Sequence, residues 1–436
     1  MMQSKKIGAD SPPKALLGPN YSRVVNRSPV FYGWVILVAG SIGMIMTSPG
    51  QTYAVSIFID SFIADLGISR SVVSTLYSMG TLVGSFALPF VGRQIDHRGG
   101  RMIVAIISVL FGIACIYMGI IQNALMLGLG FIAIRMLGQG SLGLVCTNVI
   151  NQWWVRRRGM AMGISGVLMS LLALGGFPNL IYWLISQYGW RVSYGLLGMT
   201  LILFMAPLGY LFFRDRPEEY GLQPDGAKTT TTTNENISPS TIEENWTLAE
   251  AIRTRSFWIV SLGLGVISML GTGLFFHMVS ILNDGGLTAA EAASVFVPIA
   301  VTTAVVNLGS GILIDRVRIR VILAAALLTL AISLWMAPRF QGLEWAFLYG
   351  IVLGSMSGLQ RTASTVVWAA YFGRRHLGSI TGLSSTILVA ASALGPMPFG
   401  IARDVLGSYT VVLTVCAIAP LILAGASLLT GRPNKR

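Results

Sequence analysis

Three ionisable side chains, Arg135, His277 and Arg361, fall deep within long apolar runs, and none of the 17 acidic residues joins them there. Asp60, Asp65, Asp284, Glu291, Glu344 and Asp404 sit where apolar runs end, and the other acids occupy polar connections. A charge in hydrocarbon costs roughly 2.5–3.5 kcal/mol on insertion scales, so such residues face a cavity or a partner. With no carboxylate at depth to pair with either arginine, a bound anion is the natural counter-charge. Ser357, Arg361, Ser364, Thr365 and Trp368 recur at three- and four-residue steps, which a helix turns into one polar face with an aromatic rim. Arg135 shares a face with Gln139; beside a ligand role, a structural one, bonding backbone carbonyls, stays open for it. A histidine ordinarily titrates near neutral pH, and on that ground His277 is the side chain at depth expected to carry a proton, unless it is a hydrogen-bonded packing residue. Asn148 and Asn307 are further polar cavity candidates, as are Gln51 and Tyr53 beside Pro49-Gly50, a pair that removes a backbone hydrogen bond inside an apolar run.

These residues need helices to hold them. Of 436 residues 54% are hydrophobic and 11% charged, whereas soluble proteins carry roughly a quarter charged residues. About 20 apolar residues cross a bilayer, and the runs divide into twelve, near 32–59, 71–92, 102–121, 124–153, 160–185, 191–213, 255–282, 289–314, 320–338, 343–371, 376–402 and 408–430. The net charge of +13 does not signal nucleic acid, because 24 of the 30 Lys and Arg residues fall in the two tails and in alternate connections. The positive-inside rule then places both termini in the cytoplasm of a multi-pass plasma (inner) membrane protein. Residues 1–30 read as a disordered cytosolic tail, 31–213 as one six-helix half, 214–253 as a flexible Thr-rich linker, 254–430 as a second half and 431–436 as a short tail. Cys115, Cys146 and Cys416 lie in apolar runs and suit packing better than a disulfide or a metal site. With no Walker loop, dinucleotide fingerprint, metal-ligand cluster or nucleophile elbow, neither an enzyme nor a resident cofactor is expected.

The halves repeat. Gly92-Arg93-Gln94-Ile95-Asp96-His97-Arg98-Gly99-Gly100-Arg101 returns as Gly311-Ile312-Leu313-Ile314-Asp315-Arg316-Val317-Arg318-Ile319-Arg320, each with Gly four residues before the Asp and Arg five after it. Trp153-Trp154-Val155-Arg156-Arg157-Arg158-Gly159 is answered by Tyr371-Phe372-Gly373-Arg374-Arg375. The first stretch resembles the signature loop of the major facilitator superfamily, with His97 in place of the motif's first Arg, and Arg135-Met136-Leu137-Gly138-Gln139-Gly140 resembles its second motif. Gly189-Trp190-Arg191, Arg214-Asp215-Arg216-Pro217-Glu218-Glu219-Tyr220-Gly221-Leu222 and the aromatic lead-in Trp246–Trp258 are similar to the monocarboxylate-transporter and oxalate/formate-exchanger branch. The resemblance covers residues 31–430 and implies an all-α membrane protein of twelve transmembrane helices in two pseudo-symmetric halves. It implies a secondary transporter of a small organic anion working by alternating access, with a drug or metabolite exporter, or a non-transporting sensor, as alternatives. The substrate, the lipid bilayer and a coupling proton or counter-anion are the implied partners of a functional monomer. Asp96 with Arg101, and Asp315 with Arg320, are the implied gating pairs. Where the branch often carries a substrate-binding arginine, four residues before the second loop's Gly, this chain has Asn307.

Overall fold

The structure, a computed structural model, describes residues 28–155, 157–226, 246–313, 317–339, 341–373 and 377–433, together with Ser22 and Val25. Among the described residues there are helices and no strand, as the hydrocarbon interior demands of a chain that must satisfy its backbone internally. They follow one another as twelve rods. α1 is Gly33–Leu66, α2 is Arg70–Ser85 continued by Leu88–Arg98, α3 is Gly100–Met118 and α4 is Ala124–Trp153. α5 (158–188) and α6 (190–212) are separated by Gly189, whose φ of 75° turns the chain. α7 comprises Arg255–Phe276 and Met278–Asp284, α8 comprises Ala289–Ser294 and Phe296–Leu313, α9 is Ile319–Met336 and α10 is Leu343–Phe372. α11 comprises Leu377–Leu394 and Pro396–Leu406, and α12 comprises Thr410–Cys416 and Ile418–Leu429.

Among the described residues nine stretches are long and apolar enough to cross a membrane by length and composition alone. α5 and α6 form one of these stretches, α2 is interrupted between Ser85 and Leu88, and polar residues dilute the hydropathy of α10. α1 continues past the apolar pattern to Leu66 because its acids are paired: Asp60 with Arg70, and Asp65 with Arg191 at 2.7 Å.

Two apolar cores form, one from residues 25–213 and one from residues 246–424. Phe276 of α7 crosses over and buries in the first core against Tyr77, with ring centroids 4.5 Å apart. Tyr53 and Ile57 pack against both cores. The halves meet closely at the end opposite the basic loops. There Ser71 N–H donates to Asp404 at 2.7 Å, and a Cβ on Gly400 would stand 2.5 Å from Ser74 Oγ.

The expected linker behaves differently at its two ends. Residues 214–226 are docked onto the first half: Asp215 accepts from Arg101 N–H at 3.0 Å, and Asp225 accepts from Val155 and Arg157 N–H at 3.1 and 3.0 Å. Trp153 donates its indole N–H to the Arg214 carbonyl at 2.8 Å. Helix starts and loops with free N–H groups attract carboxylates, so these acids staple the segment down. At the other end Thr247 and Glu250 form a capping box, and Trp246 N–H donates to the Phe372 carbonyl at 3.0 Å. The Thr run 229–233 and most of the N-terminal tail lie outside the described residues.

The α8–α10 crossing depends on the absence of a side chain at Gly354, where a Cβ would lie 2.5 Å from the Ile299 carbonyl oxygen. Overpacking a close crossing costs about 1–3 kcal/mol. Gly354→Ala should therefore lower the melting temperature of the purified protein, and an unchanged melting curve would contradict this packing.

Candidate functional site

α4 departs from regular α-helix over Arg135–Leu142, where its turns widen to π-type geometry, a feature common at functional sites. The first residue of that stretch is a buried charge. Arg135 is 3% exposed. Its Nε donates to Thr81 Oγ1 of α2 and its Nη1 to the Gly50 carbonyl of α1, both at 2.9 Å. Its guanidinium lies over the Tyr77 ring, 4.6 Å from the centroid, and Tyr77 is itself fixed by donating to Thr52 Oγ1 at 2.8 Å. The Gly50 carbonyl is available because α1 gives way to a 3₁₀ turn over Ser48–Gly50. Gly50 is required because α1 runs against the Ile134 carbonyl with no room for a Cβ. The remaining amino group, Nη2, is sealed from solvent and has no hydrogen-bond partner.

Beside Arg135 a cavity of about 410 Å³ separates α2 and α4 of the first half from α7 and α11 of the second. Arg135, Gln139, Gly143 and Thr147 line it from α4 at four-residue steps, while Thr81 and Ser85 face it from α2. Ser268, Leu388, Val389 and Ser392 close the opposite wall. Several of the wall's hydroxyls are already committed: Ser85 donates to the Leu82 carbonyl at 2.6 Å, Ser268 to the Leu388 carbonyl at 3.1 Å, and Ser392 pairs with Thr272 at 2.8 Å. The donors left to meet a ligand are therefore concentrated on α4.

Arg361 occupies a different place on the interface between the halves. It projects from α10 with an exposed side chain, and its Nη1 comes 3.9 Å from where a Cβ on Gly166 of α5 would be. Tyr53 is its electrostatic neighbour. The face expected around it is less polar than its composition implies. Ser364 and Thr365 donate to the Arg361 carbonyl at 2.9 and 3.1 Å and Ser357 to the Leu353 carbonyl at 3.1 Å, so each hydroxyl is turned back on its helix. Trp368 is 3% exposed and packs with Phe257 and Phe372 in the second core instead of forming a rim.

The other residues singled out are dispersed. Gln51 donates to Thr47 Oγ1 at 3.0 Å and the Tyr53 hydroxyl pairs with Ser48 Oγ at 2.9 Å, both closing on the α1 break. Asn307 accepts from Thr362 Oγ1 at 3.3 Å between α8 and α10. Asn148 lines a separate polar pocket at the basic end with His97 and Asp215. His277 is fully buried near the far end and does not border the central cavity. Arg101 turns to α6: its Nε donates to the Tyr210 carbonyl at 2.7 Å and its guanidinium covers the Tyr210 ring at 4.4 Å. Arg320 lies near Tyr371, and the Asp96 side chain and Asp315 fall outside the described residues. Tyr77, Thr81 and Thr147 had not been singled out. The four-residue step Tyr77, Thr81, Ser85 marks the α2 face and was the available signal.

Two helical halves around a central cavity, each repeating the other's loop motif, define a membrane transporter fold. The chain belongs to the major facilitator superfamily, whose family model matches residues 40–396. It is similar to monocarboxylate transporter 11 of Mus musculus, 26% identical over 92% of this chain and 88% of that protein. It is also similar to the probable sulfoacetate transporter SauU of Cupriavidus necator, 27% identical over 34% of this chain, a match that spans about a third (35%) of SauU's length. Its fold is like that of a bacterial homologue of the human lysosomal transporter Spinster in an inward-facing, occupied conformation, with a TM-score of 0.66 and 16% identity over 91% of this chain and 95% of that one.

Removing the acceptor for Arg135 Nε leaves a buried charged donor unmet, which costs about 1–3 kcal/mol. Thr81→Val, close in shape, should lower the melting temperature, whereas a variant as stable as the wild type would show that Thr81 does not hold the arginine.

Proposed function

We propose that this protein is a secondary active transporter that carries a small, carboxylate-like organic anion between its two halves by alternating access. The observation behind this reading is Arg135, which lines the cavity between the halves and whose guanidinium is fixed on three sides with one amino group unpartnered and sealed, so that a shift of the cavity wall would bring it to a ligand. A planar, permanently charged fork held in this way suits a carboxylate or sulfonate better than a neutral ligand. Arg361, contributed by the opposite half and reaching toward Gly166, is the second cationic contact. A ligand bound between walls from both halves ties its binding to the separation of the halves, which is what transport by alternating access needs. The similarity to a monocarboxylate transporter over nearly the whole chain agrees with this substrate class.

The basic end faces the cytosol in this reading, since Lys and Arg collect on the cytoplasmic side, and the tightly joined far end is the closed outer gate. Asp96 and Asp315, in the two signature loops, act at the cytosolic gate with Arg101 and Arg320. Asp96→Asn should slow transport in vesicles at equal levels of folded protein, and unchanged turnover would remove Asp96 from gating.

A hydrogen bond to a charged group contributes roughly 1.5–3 kcal/mol, or about 10- to 150-fold in affinity. Arg361→Gln should weaken binding of an organic acid by that factor and reduce the preference for anions to what Arg135 alone supplies, while Arg361→Lys weakens binding but keeps the preference. Binding indifferent to Arg361→Gln, or a substrate that proves cationic, would refute the proposal.

A further inference from the structure

The closed far end is built around a histidine. α7 breaks at His277, where φ is −93° and ψ 8°, and α11 breaks between Leu394 and Pro396, whose ring supplies no N–H to continue the helix. The two breaks lie side by side. A Cβ on Gly273 would be 2.9 Å from the Gly395 carbonyl oxygen, and His277 Nε2 lies 2.9 Å from the Pro396 carbonyl oxygen. Nδ1 lies 3.2 Å from the hydroxyl of Tyr409, at the start of α12, and that hydroxyl is 3.1 Å from Ser280 Oγ. The Pro396 carbonyl can only accept, so Nε2 carries a proton and donates to it, while Nδ1 sits against the Tyr409 hydroxyl, which itself donates to Ser280 Oγ. The ring is also stacked on Phe399, with centroids 6.0 Å apart and 17° between planes.

Every one of those partners belongs to the second half. The first half meets this block through α2: Ser74 Oγ lies 3.4 Å from Nε2 while donating to the Arg70 carbonyl at 2.8 Å, and Gly400 passes close against Ser74. We propose that His277 is a positioning residue for gating. By holding Pro396, it sets the angle of the Pro396–Leu406 arm at which Gly400 can close on Ser74, and so it stabilises the state sealed at the far end. The contacts that separate on opening are the Ser74 contact, the glycine approach and the Ser71 N–H bond to Asp404 on the same arm, whereas the bonds of His277 to Pro396 and Tyr409 stay within one half. The histidine is thus part of the moving body. This rests on the alternating-access reading, but the test below uses no substrate, so its failure is separable from failure of the anion proposal.

The test measures distances between spin labels at Ala64 of α1 and Leu406 of α11, both exposed at the far end, in a cysteine-free background. The wild type should be dominated by the shorter distance. His277→Ala should raise the population of longer distances about 2- to 10-fold, the worth of one ordinary hydrogen bond. His277→Gln, whose amide N–H can still reach the Pro396 carbonyl, should restore most of the short-distance population. Gly400→Ala should lengthen the distance with the histidine untouched. If His277→Ala does not fold, Tyr409→Phe, which removes the hydroxyl bonded to Nδ1, should give a smaller shift in the same direction. Distances unmoved by the histidine or tyrosine change, or His277→Gln as open as His277→Ala, would overturn the proposal.

Discussion

A guanidinium that cannot reach water has to be satisfied by its surroundings, and much of the first half of this protein is arranged around that requirement at Arg135. The α1 break is explained by it, since an intact helix would keep the Gly50 carbonyl for itself. So is the polar stripe on α2, which brings Tyr77 and Thr81 to the same point. Three helices are therefore pinned together by one side chain. The incomplete satisfaction of Nη2 carries the functional argument, because a buried, unmet donor on a charged group is expensive and native structures contain few of them.

The second half supplies a different kind of surface. Its wall of the cavity is formed by Ser268, Leu388, Val389 and Ser392, with serine hydroxyls already engaged within the half. In the proposed reading, Arg135 on one side and a largely apolar wall on the other anchor a ligand to one half and enclose it with the other. The interface between the halves also tolerates motion. It is rich in small residues at the far end, where Gly400 faces Ser74, and Phe276 plugs into the first core as a single aromatic contact. Small-residue crossings in membranes close tightly through van der Waals contact and need no strong polar glue.

The fold was largely legible in the sequence because its signals are local: apolar runs of spanning length, loop motifs that recur at fixed spacing, and basic residues in alternate connections. The site was legible only in part. Arg135 and Arg361 stood out as charges without acids, and both lie on the interface between the halves. Which side-chain groups they would find was hidden, because the partner of a buried arginine can be a backbone carbonyl, as at Gly50, and carbonyls leave no mark in a sequence. The hydroxyls near Arg361 misled for a related reason, since Ser and Thr at helical steps bond their own preceding carbonyls as readily as they face a cavity. Helical periodicity likewise could not tell the core-facing side of α10 from its cavity-facing side, which put Trp368 on the wrong surface. The docking of residues 214–226 depends on Asp215 and Asp225 finding free N–H groups far away in the chain, a pairing that composition cannot reveal.

The central claim is that the unmet edge of Arg135 awaits an anionic group. The most direct measurement is calorimetric titration of the purified protein with the organic acid that raises its melting temperature most, and with the primary-amide isostere of that acid. The two ligands match in size and shape and differ in charge. The account predicts saturable binding of the acid and binding of the amide weaker by at least about 10-fold, the low end for a hydrogen bond to a charged group. Equal affinity for the two would show that the cavity selects by shape alone and would contradict an arginine-centred anion site.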